Sequence, residues 1–364
     1  MNWAHLFFGA ILMLIGGDWL VRGTVGISRR LGLSEFIIAV VIIGIGTSTP
    51  ELFVSIISDN RDLGTLVISN NISSNIVDIW GVIGIGAFLS PIILNGRKHL
   101  TDFIFLWVAT AIMTIMCMFR VIGWVDGIIL YSIFAAYLVY AIMNAKEKPA
   151  KIDGQDGLDG AVYKSGSRIN YSPIFGNRVN TAIKGKKNLT IGYVSAIRQH
   201  YDFLYDNALF RFFQYSIPGL ISLTLLGIGL VYFGSEIFMN ALQIVSRMNH
   251  LDQTLAGILI VGPGTSMPEL IVTIIAAIRR RPQIAIGNIL GSNLMNIALV
   301  VPTAAIFMDL PVTKHISHLD VWAMVAALVM LTLNLFAWKR ISRWTSVLYM
   351  SLLVVYMYWV VMWH

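Results

Sequence analysis

Charged residues and cysteines are scarce in this chain. Only 12% of its 364 residues are Asp, Glu, Lys or Arg, whereas 57% are hydrophobic. A water-soluble domain could not bury that much apolar side-chain surface. The single cysteine, Cys117, lies within an apolar run, so no disulfide can form within the chain. These scarcities exclude a soluble domain and a disulfide framework.

Histidine is absent from the middle of the long apolar runs. All seven histidines fall near the ends of these runs or between them. A zinc site normally recruits imidazole, so zinc transport is disfavoured. No nucleophile is accompanied by a histidine base, so the chain is not expected to be an enzyme.

Ten apolar segments follow one another along the chain. Each is about 20 residues or more, the length that a helix needs to cross about 30 Å of hydrocarbon. We therefore predict an all-α polytopic membrane protein with ten transmembrane helices, embedded in the lipid bilayer. The predicted spans are 2–22, 35–58, 65–93, 100–119, 121–143, 211–245, 254–278, 283–309, 318–338 and 344–363.

The net charge of +7 follows a membrane topology rather than a nucleic-acid surface. Lys and Arg are dense in the first, third, seventh and ninth connections, the first being predicted to hold Arg22, Arg29 and Arg30. By the positive-inside rule this side is cytoplasmic, so both termini are expected outside the cell membrane. The central connection, 144–210, is then a cytoplasmic loop. Solvent or the membrane surface explains its lysines, and no nucleic-acid partner is expected.

A long motif occurs twice. The segment GIGTSTPELFVSIISDNR, from Gly44, returns as GPGTSMPELIVTIIAAIR, from Gly262, and the offset of 218 residues continues without a gap through Ile79 and Ile297. Five segments separate the copies, and an odd number reverses the direction through the bilayer. This predicts two inverted five-helix repeats, 1–143 and 211–364, joined by the loop 144–210.

Each copy of the motif carries one glutamate within an apolar segment, Glu51 in the first and Glu269 in the second. An ionised side chain at the bilayer centre costs at least about 2.5 to 3.5 kcal/mol. Equivalent residues of inverted repeats approach one another near the midplane, so we expect the two carboxylates to face each other. Such a pair persists if it is protonated or shares a cation.

Glycine, proline and hydroxyl residues surround both glutamates. Glycine and proline should kink or unwind both segments there, which frees carbonyl oxygens that need a partner within the membrane. Calcium takes about six to eight oxygen ligands with loose geometry, whereas magnesium wants a tighter octahedron. The predicted oxygen donors are Gly44, Thr47, Ser48 and Ser74 in the first repeat, and Gly262, Thr265, Ser266 and Ser292 in the second.

The repeat loses its symmetry just past these serines, where Asp78 corresponds to Asn296. Asp78 would add a third carboxylate to the site. A divalent ion leaves one of three negative charges unbalanced, whereas several monovalent ions or protons can balance all three. This asymmetry suggests how competing ions could share one site and thereby exchange.

The repeated motifs are GTSTPE at Gly46–Glu51, GTSMPE at Gly264–Glu269 and GNILGSNLMN at Gly287–Asn296. With them the chain resembles the sodium/calcium exchanger family, within the wider cation/calcium antiporter superfamily. The resemblance implies that Glu51 and Glu269 bind both calcium and sodium, helped by the hydroxyls and glycine carbonyls named above, with Asp78 and Asn296 completing the cluster. It also implies that the first and sixth helices move across the site to alternate access.

The chain departs from the family pattern at several positions. Ser69 and Ser73 replace glycines, Asn71 is an added polar group, and prokaryotic exchangers commonly carry the residues at 78 and 296 the other way round. The doubled acidic motif still makes a sodium/calcium antiporter of the cytoplasmic membrane the leading interpretation. A proton-coupled exchanger, a magnesium exchanger and, as a different class, a cation channel stay open. Its expected partners are inorganic cations, with no cofactor and a monomeric or weakly oligomeric state.

Overall fold

The computed structural model describes residues 2–48, 51–52, 63–145, 216–248 and 262–363. The predicted cytoplasmic loop 144–210 lies outside the described residues except at its first two positions, so its role stays a prediction. The described parts of both halves belong to one compact unit.

Ten apolar helices are found in the described residues. Eight are long and apolar enough to cross a membrane, and two, Glu35–Thr47 and Met267–Ile278, are shorter. The predicted all-α polytopic membrane fold is confirmed. The helices are α1 Asn2–Leu31, α2 Glu35–Thr47, α3 63–89, α4 Leu100–Met118, α5 Trp124–Asn144, α6 Ile217–Met248, α7 Met267–Ile278, α8 Pro282–Phe307, α9 Ile316–Trp338 and α10 Arg343–Trp363.

The first helix is longer than predicted. It continues to Leu31 rather than ending near residue 22, so Arg22 lies inside α1 and not in a connection. The prediction was wrong because Arg22 is neutralised within its own helix, where its Nε donates to Asp18 Oδ2 at 2.8 Å. Arg279, at the end of α7, also pairs with Asp18. The apolar face then continues beyond the charge to Ile27, which is buried.

The helices differ in how much of their surface the protein covers. Of the 18 most apolar consecutive residues of α8, 94% are buried, and in α3 the buried share is 78%. In α5 and in α10 only 22% of these residues are buried. The exposed side chains on these outer helices are large and apolar, as at Ile142 and Trp344. The helices α3 and α8 therefore form the centre of the molecule, and α5 and α10 face lipid.

Glycines bring α1 and α6 into backbone contact. A Cβ atom on Gly16 would lie 2.7 Å from the backbone nitrogen of Val231, and one on Gly227 would lie 2.6 Å from that of Leu20. The glycines themselves are related by the repeat, because Gly9 corresponds to Gly227 and Gly16 to Gly234. Small residues at such an interface allow close helix packing in membranes.

Two short antiparallel strand pairs join the halves. The strand β1, Ile92–Ile93, pairs with β4, Arg340–Ile341, and the strand β2, Val121–Ile122, pairs with β3, Leu310–Pro311. Each pair takes one strand from each half of the chain. Backbone hydrogen bonds thereby join connections of the first repeat to connections of the second.

Candidate cation-binding site

The two motif segments break at equivalent serines. The helix α2 contains a π-helical stretch, Ala39–Ile43, returns to α-helix for Gly44–Thr47 and ends at Ser48 with φ −81° and ψ 6°. Ser266 lies between the turn Gly262–Thr265 and α7 and has φ −81° and ψ 5°. The interruption predicted from glycine and proline is thus present in both copies, with the same backbone geometry.

Two further π-helical stretches lie in the central helices. One, Val77–Ile83, is in α3, and the other, Asn296–Val300, is in α8. Asp78 and Asn296 lie at their beginnings, so the pair that breaks the symmetry of the sequence has equivalent places in the fold. Such local widening of a helix is frequent at functional sites.

The two glutamates are buried together. Glu51 is 2% exposed and Glu269 is 1% exposed, and they lie near enough for like charges on the two to repel each other. Each lies beside a threonine of the other repeat, Thr265 beside Glu51 and Thr47 beside Glu269, although the hydroxyl of Thr47 donates to the carbonyl of Ile43 in its own helix at 3.1 Å. Neither carboxylate oxygen of Glu51 has a partner at ordinary hydrogen-bond geometry among the described residues.

Ser292 connects two of the carboxylates. Its Oγ lies 3.1 Å from Asp78 Oδ2 and 3.1 Å from Glu269 Oε1, and it accepts a hydrogen bond from Ser48 at 3.2 Å. One hydroxyl hydrogen therefore has to serve two carboxylates. The hydroxyl of Ser266 faces Asp78 without an ordinary hydrogen bond to it. The second oxygens, Asp78 Oδ1 and Glu269 Oε2, have no partner in the described part of the chain.

The remaining predicted hydroxyl, Ser74, lies beside this group. Its Oγ is 3.2 Å from Thr265 Oγ1, again a contact between the repeats. The structure therefore brings together all three predicted carboxylates and all six predicted hydroxyls. Within the described residues, no three His, Cys, Asp or Glu side chains converge closely enough to hold a metal ion by themselves. A hydroxyl group lies beside two of the carboxylates instead, that of Ser292 beside Asp78 and Glu269.

The two glycines of the site were predicted to offer backbone carbonyl oxygens, and the structure gives Gly44 a packing role instead. A Cβ atom on Gly44 would lie 2.9 Å from the backbone of Gly291, so Gly44 lets α2 approach α8. Its carbonyl oxygen is not freed, because α2 stays helical to Thr47 and the amide of Ser48 donates to that oxygen at 3.0 Å. Gly262 begins the helical turn that leads to Ser266.

Two asparagines were not predicted as site residues. Asn288 Oδ1 lies 3.4 Å from the hydroxyl of Thr47, and Asn70 Oδ1 lies 3.5 Å from that of Thr265. Asn288 also donates through Nδ2 to the backbone carbonyl of Glu269 at 3.3 Å. Their shared place in the repeat, 218 residues apart in otherwise apolar helices, was the signal that could have found them.

Asn296 lies at the edge of the cluster. Its Nδ2 donates to Asn75 Oδ1 at 3.0 Å, and its Oδ1 is buried without a hydrogen-bond partner in the described ranges. Ser292 lies one helical turn earlier, so both side chains emerge on the same face of α8. The asymmetric pair of positions, 78 and 296, therefore flanks the same cluster.

Known sequences match this chain over most of its length. The family model for the sodium/calcium exchanger protein matches residues 1–143 and 219–362. The sodium/calcium exchanger MaX1 of Methanosarcina acetivorans is 25% identical over 357 residues, which cover 98% of this chain and 97% of the relative. An uncharacterized membrane protein of Methanocaldococcus jannaschii, MJ0091, is 26% identical over 354 residues, covering 96% and 95% of the two chains.

The fold also matches a solved structure. The sodium-calcium exchanger NCX_Mj superposes with a TM-score of 0.70 at 24% identity, covering 97% of this chain and 96% of the other. The matched family model spans nearly all of both repeats and leaves out the central loop. The chain is a multi-pass membrane protein that belongs to the sodium/calcium exchanger family.

Proposed function

We propose that the chain is a secondary active antiporter that exchanges sodium for calcium by alternating access at a shared carboxylate site near the membrane midplane. The observation that carries the proposal is the buried pair Glu51 and Glu269, each beside a threonine of the opposite repeat. An uncompensated pair of buried like charges is unfavourable, and a cation bound between them removes the repulsion.

The surrounding oxygens favour calcium as one of the two substrates. Calcium accepts a mixed and irregular set of oxygen ligands, and the cluster offers carboxylates together with the hydroxyls of Thr47, Thr265 and Ser48. The names of MaX1 and NCX_Mj as sodium/calcium exchangers point to the same pair of ions.

Competition for the three carboxylates would couple the ions. A calcium ion balances two negative charges, whereas sodium ions entering one by one can balance those of Glu51, Glu269 and Asp78. Calcium together with one sodium ion for each carboxylate would bring five positive charges against three negative ones, so binding of the full sodium set favours release of calcium. This is the electrostatic requirement for exchange rather than co-transport.

The repeats supply the means of alternating access. Two oppositely oriented halves, 1–143 and 211–364, can exchange roles, so that the site opens first to one side and then to the other. The backbone-packed pair α1 and α6 is the element proposed to move across the site. The distribution of Lys and Arg favours termini outside the cytoplasmic membrane and the loop 144–210 inside it.

Reconstituted vesicles test this function. Proteoliposomes loaded with sodium should take up external calcium as long as the sodium gradient lasts, and Glu51→Gln or Glu269→Gln should abolish the uptake. The matched control is Glu35→Gln, because Glu35 pairs with Arg281 outside the site, and it should retain uptake. Calcium uptake that ignores the gradient, or full activity in Glu51→Gln, would reject sodium/calcium exchange.

A proton-coupled exchanger is the second candidate. The single hydrogen of Ser292, shared by Asp78 and Glu269, favours it, because a proton on either carboxyl would complete that contact. Replacing the sodium gradient by a pH gradient in the same vesicles separates the two couplings. Magnesium in place of calcium tests the other divalent ion, and a current without any counter-ion would indicate a channel.

A further inference from the structure

A chain of side-chain amides joins α3 to α8 beside the carboxylate cluster. Asn75, next to Ser74 on α3, donates through Nδ2 to the backbone carbonyl of Asn293 at 3.4 Å. Its Oδ1 accepts from Asn296 Nδ2 at 3.0 Å. All three residues are buried, with Asn75 only 1% exposed. The amides thus form a relay that starts at a backbone group and ends at Asn296.

The starting point of this relay fixes every orientation in it. A backbone carbonyl can only accept, so Asn75 has to present its NH₂ group to Asn293. The sulfur of Met324, a weak acceptor 3.7 Å from the same Nδ2, lies on that side as well. The carbonyl end of the Asn75 side chain is then turned to Asn296, which can bond to it only by donating from its own NH₂ group.

This arrangement also fixes the position of the oxygen at the other end of the Asn296 amide. Its Oδ1 is buried and has no hydrogen-bond partner in the described part of the chain. It belongs to the same face of α8 as Ser292, whose hydroxyl contacts both Asp78 and Glu269. With the opposite rotation, the partial positive charge of an NH₂ group would take the place of this oxygen.

We propose that Asn75 is a positioning residue, which holds the Asn296 amide so that its oxygen and not its nitrogen is offered to the transported cation. This inference rests on the proposed exchange at the carboxylate cluster. Cations of this class take oxygen ligands, and partners behind a ligand commonly set its orientation.

The asymmetry of the repeat explains why only one half needs this relay. The residue equivalent to Asn296 is Asp78, whose two carboxylate oxygens are chemically alike, so its rotation changes nothing. An amide at 296 has one acceptor end and one donor end, so its rotation decides whether it attracts or repels a cation. Asn75 is therefore required on the side of the site where an amide, Asn296, stands in the place equivalent to the carboxylate of Asp78.

Calcium uptake by Asn75→Ala tests the role. Its KM for calcium should rise on the order of tenfold, the usual effect of removing a partner behind a metal ligand, while uptake at saturating calcium changes little. The matched control is Asn71→Ala: Asn71 is also buried on α3 and donates to a backbone carbonyl, that of Val67 at 3.0 Å, but takes no part in the relay. Its KM should stay at the wild-type value.

A double-mutant cycle separates positioning from general damage to the fold. If Asn75 acts through Asn296, then Asn75→Ala should add no further loss of calcium affinity to Asn296→Ala. Asn75→Ser, whose hydroxyl is too short to reach Asn296, should behave like Asn75→Ala. Should any variant transport too little to be measured, the calcium-induced rise in its melting temperature provides the same comparison on purified protein.

The outcomes distinguish this inference from the function on which it rests. If the wild-type protein exchanges calcium, three results would overturn the positioning role alone. They are an unchanged KM in Asn75→Ala, an equal rise of KM in Asn71→Ala, and additive losses of affinity in the double-mutant cycle. No calcium exchange or binding by the wild-type protein would overturn the proposed function and the role of Asn75 with it. A raised KM confined to Asn75 variants and absent from the Asn296→Ala background supports it.

Discussion

Ser292 is the residue whose substitution would affect the most hydrogen bonds of the carboxylate cluster. Its hydroxyl contacts Asp78 and Glu269 at the same distance and also accepts from Ser48. Removing it leaves two buried carboxylate oxygens without this hydroxyl. The Ser292 hydroxyl therefore determines how Asp78 and Glu269 are hydrogen-bonded within the site.

The variant Ser292→Ala is expected to weaken calcium transport. Ser292 is also one of the predicted oxygen donors to the cation, and loss of an interaction with a charged group costs about 1.5–3 kcal/mol, so the KM for calcium should rise by roughly one to two orders of magnitude. The measurement is calcium uptake into sodium-loaded vesicles. Ser346→Ala is the control, because Ser346 on α10 is equally buried but donates to the carbonyl of Ser342, the residue just before that helix. Equal transport by the two variants would contradict the role of Ser292.

A histidine outside the membrane spans predicts a pH effect on stability. The hydrogen bond between His315 Nδ1 and Asp320 Oδ2, at 3.1 Å, raises the pKa of His315, although partial burial opposes this shift. A raised folded-state pKa contributes stability that is fully present below the unfolded pKa of about 6.5 and is lost as the pH rises through the folded pKa. Asp320 also accepts from Tyr356 at 2.9 Å, which ties this contact to α10.

Thermal unfolding in detergent across the pH range measures this contribution. The melting temperature of His315→Gln should fall below that of the wild type at acidic pH, and the difference should shrink as the pH rises. His318→Gln is the control for removal of an imidazole near the same end of α9, because His318 is exposed. A difference for His315→Gln that grows toward alkaline pH would show that the sign is wrong.

At the scale of elements, the contact between α1 and α6 depends on missing side chains. A Cβ atom on Gly227 would meet the backbone of α1 at 2.6 Å, whereas one on Gly229, on the same helix, would meet no atom within 4 Å. Backbone atoms cannot yield as a flexible side chain can. The pair can stay packed only if both helices shift.

The variant Gly227→Ala is therefore expected to destabilise the protein by about 1–3 kcal/mol, the usual cost of overpacking. It should also reduce transport if α1 and α6 move as one body. Gly229→Ala should leave both properties near the wild-type values, because its added methyl group enters open space. Thermal unfolding and vesicle uptake of the two variants give the comparison, and indistinguishable results would rule out close packing as the constraint.

Some elements could be predicted from the sequence and others could not. Apolar runs were enough to predict the helices, and glycine and proline were enough to predict the broken segments at Ser48 and Ser266. The repeat at one offset predicted that Glu51 and Glu269 lie close together. The length of α1 was missed because an arginine usually marks a helix end, whereas Arg22 is neutralised by Asp18 one turn earlier in the same helix. Strands of two residues, such as β1, carry no periodic signal at all.

Contacts between helices were the part of the site that the sequence left open. A polar residue in an apolar helix can face a neighbouring helix or the cation, and the pattern of one chain does not distinguish these two positions. Asn70 and Asn288 face threonines of the opposite repeat, and Asn75 faces Asn296, only because the repeats interlock. Such pairings arise from tertiary packing and not from spacing.

For the whole molecule, the central claim is that the two repeats together build one binding site. Each repeat contributes one glutamate and one threonine, and the threonine lies beside the glutamate of the other half. Neither half then contains a complete site. The claim differs from two separate sites, one in each repeat, in what a single substitution should do.

Calorimetric titration of purified protein with calcium tests this claim most directly. If Glu51 and Glu269 share one ion, either Glu51→Gln or Glu269→Gln alone should abolish calcium binding, and sodium should compete with calcium in the wild-type protein. Two independent sites would instead leave each variant with half of the wild-type binding. Retention of half, or undiminished binding by either variant, would contradict the shared site.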